Sequence, residues 1–245
     1  MTIDEIKRAL AAAEDLPEVL ERLKNDPRAG VQKLVKTHQK QHDKAVKEQD
    51  RLQTMLRFET MYDHFGLICG VDEAGAGPLA GPVAAGAVIL PKGCVIEGLD
   101  DSKKLTAAKR EELYETIRRR AVAYAVAFVD NNEIDKINIL QARHKAMMLA
   151  VEQLTHTPDF ILFDGNRVPA TDIPHAGLVD GDGLSMSIAA ASVLAKVERD
   201  AVMMEYHQMY PQYGFDRHKG YGTAEHMMAI RQHGLTPIHR RTFVR

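Results

Sequence analysis

The sequence predicts an α/β domain over residues 66–245 behind a helical extension over residues 1–65, and three observations lead there. Up to about residue 65 the apolar residues keep helical spacing, whereas from Leu67 onward apolar runs of strand length alternate with helical stretches. Carboxylates stand at the ends of two of those runs, where open α/β sheets gather ligands. At 245 residues the chain can hold one domain of about 180 residues with an appendage, and it buries a real core.

In the extension, Ile3, Ile6 and Leu10, then Leu16, Val19, Leu20 and Leu23, trace amphipathic helices. Asn25-Asp26-Pro27 breaks the pattern, and a long polar helix runs on from Arg28. Between Arg28 and Lys47 six Lys or Arg face one acid, Asp43, which reads as a solvated helix face, with a nucleic-acid arm as the alternative.

Leu67 to Val71 is an apolar strand that runs into Asp72-Glu73, then a glycine-rich turn and a second apolar strand ending at Leu90. Adjacent strand residues point to opposite faces, so Asp72 and Glu73 serve one site only if the strand ends or turns beside them. Gly75 and Gly77 permit that turn and a close approach of a ligand. Asp100 to Leu105 is a polar turn, and Thr106 caps a helix with Leu113 and Ile117 inward. Ala121 to Val129 is a third strand. Asn132 to Leu154 reads as one helix with Ile139, Ala142, Ala146, Leu149 and Ala150 inward, and Phe160 to Phe163 as a fourth strand ending at Asp164. A short segment, Ala176 to Val179, leads to Asp180-Gly181-Asp182-Gly183. Leu184 to Tyr210 is a long helix whose small residues, in SIAAASVLAK, let it lie close to the sheet. The tail from Gly214 interleaves six Lys or Arg with Tyr213, Phe215, Tyr221 and four His.

Composition excludes several classes. With 45% hydrophobic and 27% charged residues and no apolar run near the roughly 18 needed to span a bilayer, this is not a membrane protein. The start, MTIDEIKRAL, is a helix pattern without the apolar core of a signal peptide, so the expected location is cytoplasmic. Cys69 and Cys94 form no CxxC pair and are expected to stay reduced as packing residues. A formal net charge of -2 rules out a chain that is basic throughout, although local clusters can still bind nucleic acid. The stretch GAGPLAG is GxGxxxG with Pro78 inside it and leads into a strand, so it fails as a dinucleotide fingerprint. No P-loop, HExxH or GxSxG is present, and His144, His156 and His175 stand singly.

Four carboxylates remain, Asp72, Glu73, Asp164 and Asp182, each at a strand end or in the loop just after one. An all-oxygen set of this kind suits Mg²⁺ or Mn²⁺, which share their coordination with water and substrate phosphate oxygens. Two such ions can activate a water and stabilise the leaving oxygen of an in-line displacement at phosphorus. The residues therefore point to phosphodiester cleavage.

The series GVDEAGAGPLAGPVAAGAVIL, DDSKKL, LFDGN, GDGLSMSIAAASVLAKVERD, YGFDRHKGYGT and LTPIHRRTF resembles bacterial ribonuclease HII, over roughly Leu67 to Phe243. The resemblance implies a ribonuclease H-like fold, a mixed central sheet flanked by helices, with a helical C-terminal region. It also implies metal-dependent endonucleolytic cleavage of RNA in RNA/DNA hybrids and 5' of single ribonucleotides embedded in duplex DNA, leaving 5'-phosphate ends. A cytoplasmic monomer with these nucleic acids as partners is the expectation. The family's metal acids fall on Asp72, Glu73, Asp164 and Asp182, the four reached from chemistry. Its glycine-rich substrate loop falls on Gly75, Ala76 and Gly77, and its sugar-contacting tyrosine on Tyr221. Ala76 stands where the family usually has Arg, which implies a missing phosphate or junction contact. Asp180 stands where the family usually has Lys, an extra acid beside Asp182. The competing readings are a non-catalytic hybrid-binding protein and a nucleotide-binding enzyme that uses GAGPLAG as a phosphate loop.

Overall fold

The structure, a computed structural model, describes residues 1–13 and 15–244. Its packing divides into two compact units, Met1–Gln53 and Thr54–Arg245. In the first, helices α1 (Ile3–Ala11) and α2 (Leu16–Leu23) precede the long α3 (Ala29–Thr54). Thr2 and Glu5 form a reciprocal capping box at the start of α1, and the Asp15 carboxylate accepts from the Glu18 amide at the start of α2. Ile6, Leu10, Leu20, Val31 and Val35 close this unit's own small core, in keeping with the helical spacing of the sequence.

The second unit opens with α4 (Arg57–Tyr62) and carries a five-stranded sheet in the order β3-β2-β1-β4-β5. The strands are β1 (Ile68–Ala74), β2 (Val83–Ile89), β3 (Ala123–Val129), β4 (Phe160–Asp164) and β5 (His175–Leu178). Pairing is antiparallel among β1, β2 and β3 and parallel for β1 with β4 and β4 with β5, so the sheet is mixed. The packing boundary lies a dozen residues before the one drawn near Gly66, because α4 belongs to the sheet unit. Tyr62 stacks on Phe160 with ring centroids 4.1 Å apart, and Phe58 joins the same apolar cluster. Sequence spacing cannot distinguish a helix that docks on a neighbouring sheet from one that continues the helices before it.

Strand alternation sorts β1 cleanly. Cys69 and Val71 belong to the main core with Ala142, Ala146 and Ala150 of α7 (Ile139–Glu152), while Gly70 lies under α8 (Met186–Met209). A Cβ on Gly70 would sit 2.1 Å from the Ser187 carbonyl carbon, and one on Gly86 would sit 2.4 Å from the Ala191 carbonyl oxygen. The small-residue stretch of α8 meets glycines on the strands beneath it, and the two backbones nearly touch. Gly70→Ala is therefore expected to cost about 3 kcal/mol or more, since backbone rather than a flexible side chain has to yield. Gly183→Ala, with nothing within 4 Å of its added methyl, should cost far less. Urea midpoints compare the two, and equal midpoints would refute this close packing.

Thr106 caps α5 (Ala107–Arg120), with Leu113 and Ile117 buried, as the sequence predicts. The single helix expected from Asn132 to Leu154 is instead two, α6 (Asn131–Ile137) and α7. Asn138 separates them at φ 66°, and its side-chain oxygen accepts from the amides of Leu140 and Gln141, so it stops one helix and caps the next. The C-terminal region is helical, with α9 (Phe215–His218) and α10 (Ala224–His233). Both cysteines are free and buried, and burial pushes the Cys69 thiol up to about 12. No helix among the described residues is long and apolar enough to cross a membrane.

Candidate functional site

The turn expected beside Asp72 and Glu73 comes one residue later, because β1 continues to Ala74 and the chain swings away at Gly75, φ 89°. The two acids therefore do sit on opposite faces of one strand. Asp72 lies on the α8 side, paired in register with Gly86, and Glu73 lies on the α7 side, where it meets Arg143. They can still share a site because the parallel pairing of β1 with β4 stops at Val71 and Phe163. Beyond that rung carboxylate oxygens from both faces come within 4.8 Å of one another, at the carboxyl ends of the strands where α/β sheets form their ligand crevice.

Asp164 closes the crevice from the end of β4, and its carboxylate accepts from the Gly181 amide at 2.7 Å. Asp72, Glu73 and Asp164 each offer a carboxylate oxygen within 4.8 Å of the others. Asp182 stands outside that triplet, in the 3₁₀ turn Gly181–Gly183 that leads into α8. It is buried, with the Lys103 ammonium 3.6 Å from its Oδ2. Asp180, the neighbouring acid, is exposed, in left-handed conformation at φ 54°.

Burial and mutual repulsion strain this acid cluster. Burial, then the charges of Glu73, Asp164 and Asp182, hold the Asp72 carboxyl well above the usual carboxylate range. Burial also raises Glu73, against the pull of Arg143. Asp182 is pushed up to about 6 by burial, then by Asp101 and Asp164. Oxygen donors that repel one another in a crevice are a set that a hard divalent cation relieves. Glu73 adds a second sign: Oε1 is engaged by Arg143, while Oε2 is buried without a hydrogen-bond partner among the described residues. The residues present thus fit a divalent ion.

The glycine-rich loop is held from below by two buried arginines. Arg240 donates to the carbonyl oxygens of Gly75 (2.6 Å), Ala76 (2.9 Å), Gly81 (3.0 Å) and Pro82 (3.1 Å). Arg199 on α8 donates to Pro82, Ala80 and Lys219. Gly75 has to be glycine, because a Cβ there would sit 1.9 Å from Arg199 Nε. With the loop carbonyls turned to guanidinium groups, the amides of Ala76 and Gly77 make no hydrogen bond among the described residues. Tyr221 stands next to this loop, half exposed, its Cε1 3.7 Å from where a Gly77 Cβ would lie.

The backbone of Tyr221 is fixed by a chain of histidines whose tautomers follow from donor counting. The Thr236 amide donates to His239 Nδ1 at 2.9 Å, so His239 donates through Nε2 to His226 Nε2 at 3.1 Å. That leaves His226 Nδ1–H for the Tyr221 carbonyl at 2.9 Å. Both rings are neutral in this pattern, and burial, then the repulsion that a protonated His226 would exert, brings His239 down to about 4. Because the unfolded imidazole binds its proton near pH 6.5, stability from this group is present above 6.5 and lost as pH falls toward 4. Between pH 7 and 5 the loss is about 2 kcal/mol. The raised carboxyls of the acid cluster act in the opposite sense, favouring the fold as they take up protons. His239→Asn is accordingly expected to be less stable than wild type at pH 7 but to lose less on acidification, in chelator-treated protein. An equal loss in both proteins would remove His239 as the acid-sensitive group.

Of the residues expected from sequence, Asp72, Glu73 and Asp164 converge, Asp182 stands outside that triplet, and Tyr221 lies beside the loop over residues 75–77. The sequence alone did not single out Arg143, Arg199, Arg240, Lys103, Asp101 or the histidine chain. Arg199 and Arg240 lie inside motifs already noted, VERD and HRRTF, but a charged residue in a helix or tail carries no local mark of burial.

Comparison with known proteins finds clear relatives over the whole chain. The family description "Ribonuclease HII" matches residues 69–245, and "Ribonuclease HII N-terminal domain" matches residues 2–63. The ribonuclease HII of Desulfitobacterium hafniense is 48% identical over 248 residues, 99% of this chain and 94% of the relative. That of Clostridioides difficile is 47% identical over 248 residues, 100% and 97% of the two chains. The crystal structure of ribonuclease H2 from Pyrococcus horikoshii OT3 superposes with a TM-score of 0.63 at 27% identity, over 73% of this chain and 94% of that one. The N-terminal helices, for which sequence reading found no counterpart in the family core, thus have a family match of their own.

Proposed function

The chain belongs to the ribonuclease HII family, and from that premise we propose how its residues do the work of an endoribonuclease acting on RNA/DNA hybrids. Our reading is that it also cuts duplex DNA 5' of a single embedded ribonucleotide, as a cytoplasmic monomer serving DNA replication and repair. A water attacks phosphorus, the bond to the 3' oxygen breaks, and a 5'-phosphate remains. Asp72, Glu73, Asp164 and Asp182 would hold Mg²⁺ or Mn²⁺. Two such ions, when bound, supply Lewis-acid activation of the water and stabilise the leaving oxygen.

The other residues select and position. The 2'-hydroxyl of a ribonucleotide both donates and accepts, which distinguishes RNA from DNA. Free amides at Ala76 and Gly77 suit its oxygen or a neighbouring phosphate, and Arg240 leaves those amides free by engaging the carbonyls of the same two peptide units, Gly75 and Ala76. The Tyr221 ring would lie against the sugar of the next nucleotide. Ala76 supplies no side-chain contact to phosphate, so this part of the recognition falls to the backbone.

The observation that carries the reading is the triplet of carboxylates within 4.8 Å of one another, in a crevice beside a loop with free amides. A non-catalytic hybrid binder has no use for such a strained acid cluster. The test is end-labelled duplex DNA with one ribonucleotide, incubated with protein and Mg²⁺, Mn²⁺ or chelator. A single nick 5' of the ribonucleotide that requires metal is expected, and its absence would overturn the proposal.

A further inference from the structure

Two cations already stand at the acid cluster, and they differ in kind. Lys103 approaches Asp182 from the polar turn before α5, but its side chain is 78% exposed and free to swing into solvent. Arg143 is boxed in. It projects from α7, whose residues Ala142, Ala146 and Ala150 are packed into the core, and its side chain is only 25% exposed. Its Nη2 lies 2.8 Å from Glu73 Oε1, while its own Nε is buried with no hydrogen-bond partner among the described residues.

The pairing is monodentate where a guanidinium and a carboxylate could pair through two bonds. Each partner keeps one buried atom unused, Nε on Arg143 and Oε2 on Glu73. Glu73 therefore divides its oxygens, one for the arginine and one left over inside the crevice. The guanidinium brings a positive charge to the edge of the cluster. It sits one carboxylate away from the place where the oxygens of Asp72, Glu73 and Asp164 converge.

We propose that Arg143 is a positioning residue that holds Glu73 with one oxygen available and, as a resident charge, weakens the binding of divalent cations by the free protein. The inference rests on the reading of Asp72, Glu73 and Asp164 as metal ligands. Its attraction steadies Glu73 in the metal-free state, and its repulsion of an incoming dication opposes binding until a substrate phosphate adds negative charge. The repulsion is the larger effect on affinity, because a doubly charged ion feels it throughout the crevice, whereas the steadying acts on one ligand.

The experiment is direct titration of Mn²⁺ into the full-length protein without nucleic acid, followed by calorimetry or by the electron-spin signal of free Mn²⁺. Arg143→Gln should bind Mn²⁺ about ten-fold more tightly than wild type, the scale for one unit charge facing a dication several ångströms away in a wet site. Arg143→Lys, which keeps the charge, should bind as wild type does. In chelator Arg143→Gln should melt lower than wild type, and saturating Mn²⁺ should raise its melting temperature by more. Arg143→Met takes the place of the Gln variant if that one does not fold. Wild-type binding with no tightening in either neutral variant would overturn the role of Arg143 alone. If wild type shows no chelator-reversible Mn²⁺ binding, or Asp164→Asn binds equally well, the metal reading itself falls, and this inference with it.

Discussion

Asp164→Asn is expected to abolish cleavage while leaving the fold and hybrid binding in place. The substitution removes one negative charge from a set that would hold the catalytic ions, and several kcal/mol of transition-state stabilisation depend on that set. A loss of about 10³-fold or more in single-turnover rate follows. The shape of the site survives, because Asp164 Oδ1 accepts the Gly181 amide and an asparagine oxygen can do the same. The turn before α8, which carries Asp182, therefore stays put. Removing a like charge from beside Asp72 should also make the metal-free protein more stable than wild type in chelator. Rates on a single-ribonucleotide duplex, anisotropy binding in chelator and thermal melts test the three parts separately. Wild-type turnover at saturating Mg²⁺ would show that Asp164 holds no ion.

Two truncations are expected to behave in opposite ways. Removing residues 1–53 should leave a folded nuclease, since the sheet unit has its own cores and every proposed site residue. Removing residues 1–65 should not. It strips Phe58 and the Tyr62 stack from Phe160, and the Met55 carbonyl from the Met186 amide. It also removes the Glu59 carboxylate, which accepts from Ser185 Oγ (2.6 Å), Ser187 Oγ (2.7 Å) and the Ser187 amide (2.9 Å). Those donors sit at the N-terminus of α8, where a carboxylate also complements the helix dipole. Hydrogen bonds to a charged group are worth about 1.5–3 kcal/mol each, and three of them together with the exposed apolar packing approach the whole stability of about 5–15 kcal/mol typical of a domain. Thermal melts, solubility and cleavage assays on the two fragments decide it. A stable, active protein lacking residues 1–65 would show that α4 is dispensable.

The sequence was sufficient wherever the cause of a structure is local. Apolar periodicity located the strands and the helices between them to within a few residues, though not the helices of the C-terminal tail; Thr106 marked a helix start, and small residues in SIAAASVLAK announced a close approach to the sheet. The acids were legible because a carboxylate at the end of an apolar run is out of place whatever surrounds it. The exceptions are instructive. Asn138 broke one expected helix in two because asparagine tolerates positive φ and caps with its own oxygen, and nothing in the apolar spacing records that choice.

Only the tertiary structure decided which charges face one another. Arg143 and Glu73 lie 70 residues apart in the chain, as 73 and 143, and meet because α7 packs across β1. Arg240 reaches Gly75 from the far end of the chain, and His226 reaches Tyr221 through the fold of the tail. The crevice itself exists because β1 and β4 stop pairing at Val71 and Phe163, which lets acids from opposite faces of one strand share a space. Backbone conformation and helix capping depend on neighbours along the chain, so sequence determines them directly. An ion pair or a buried guanidinium depends on distances across the fold, and those are set only when sheet and helices have packed.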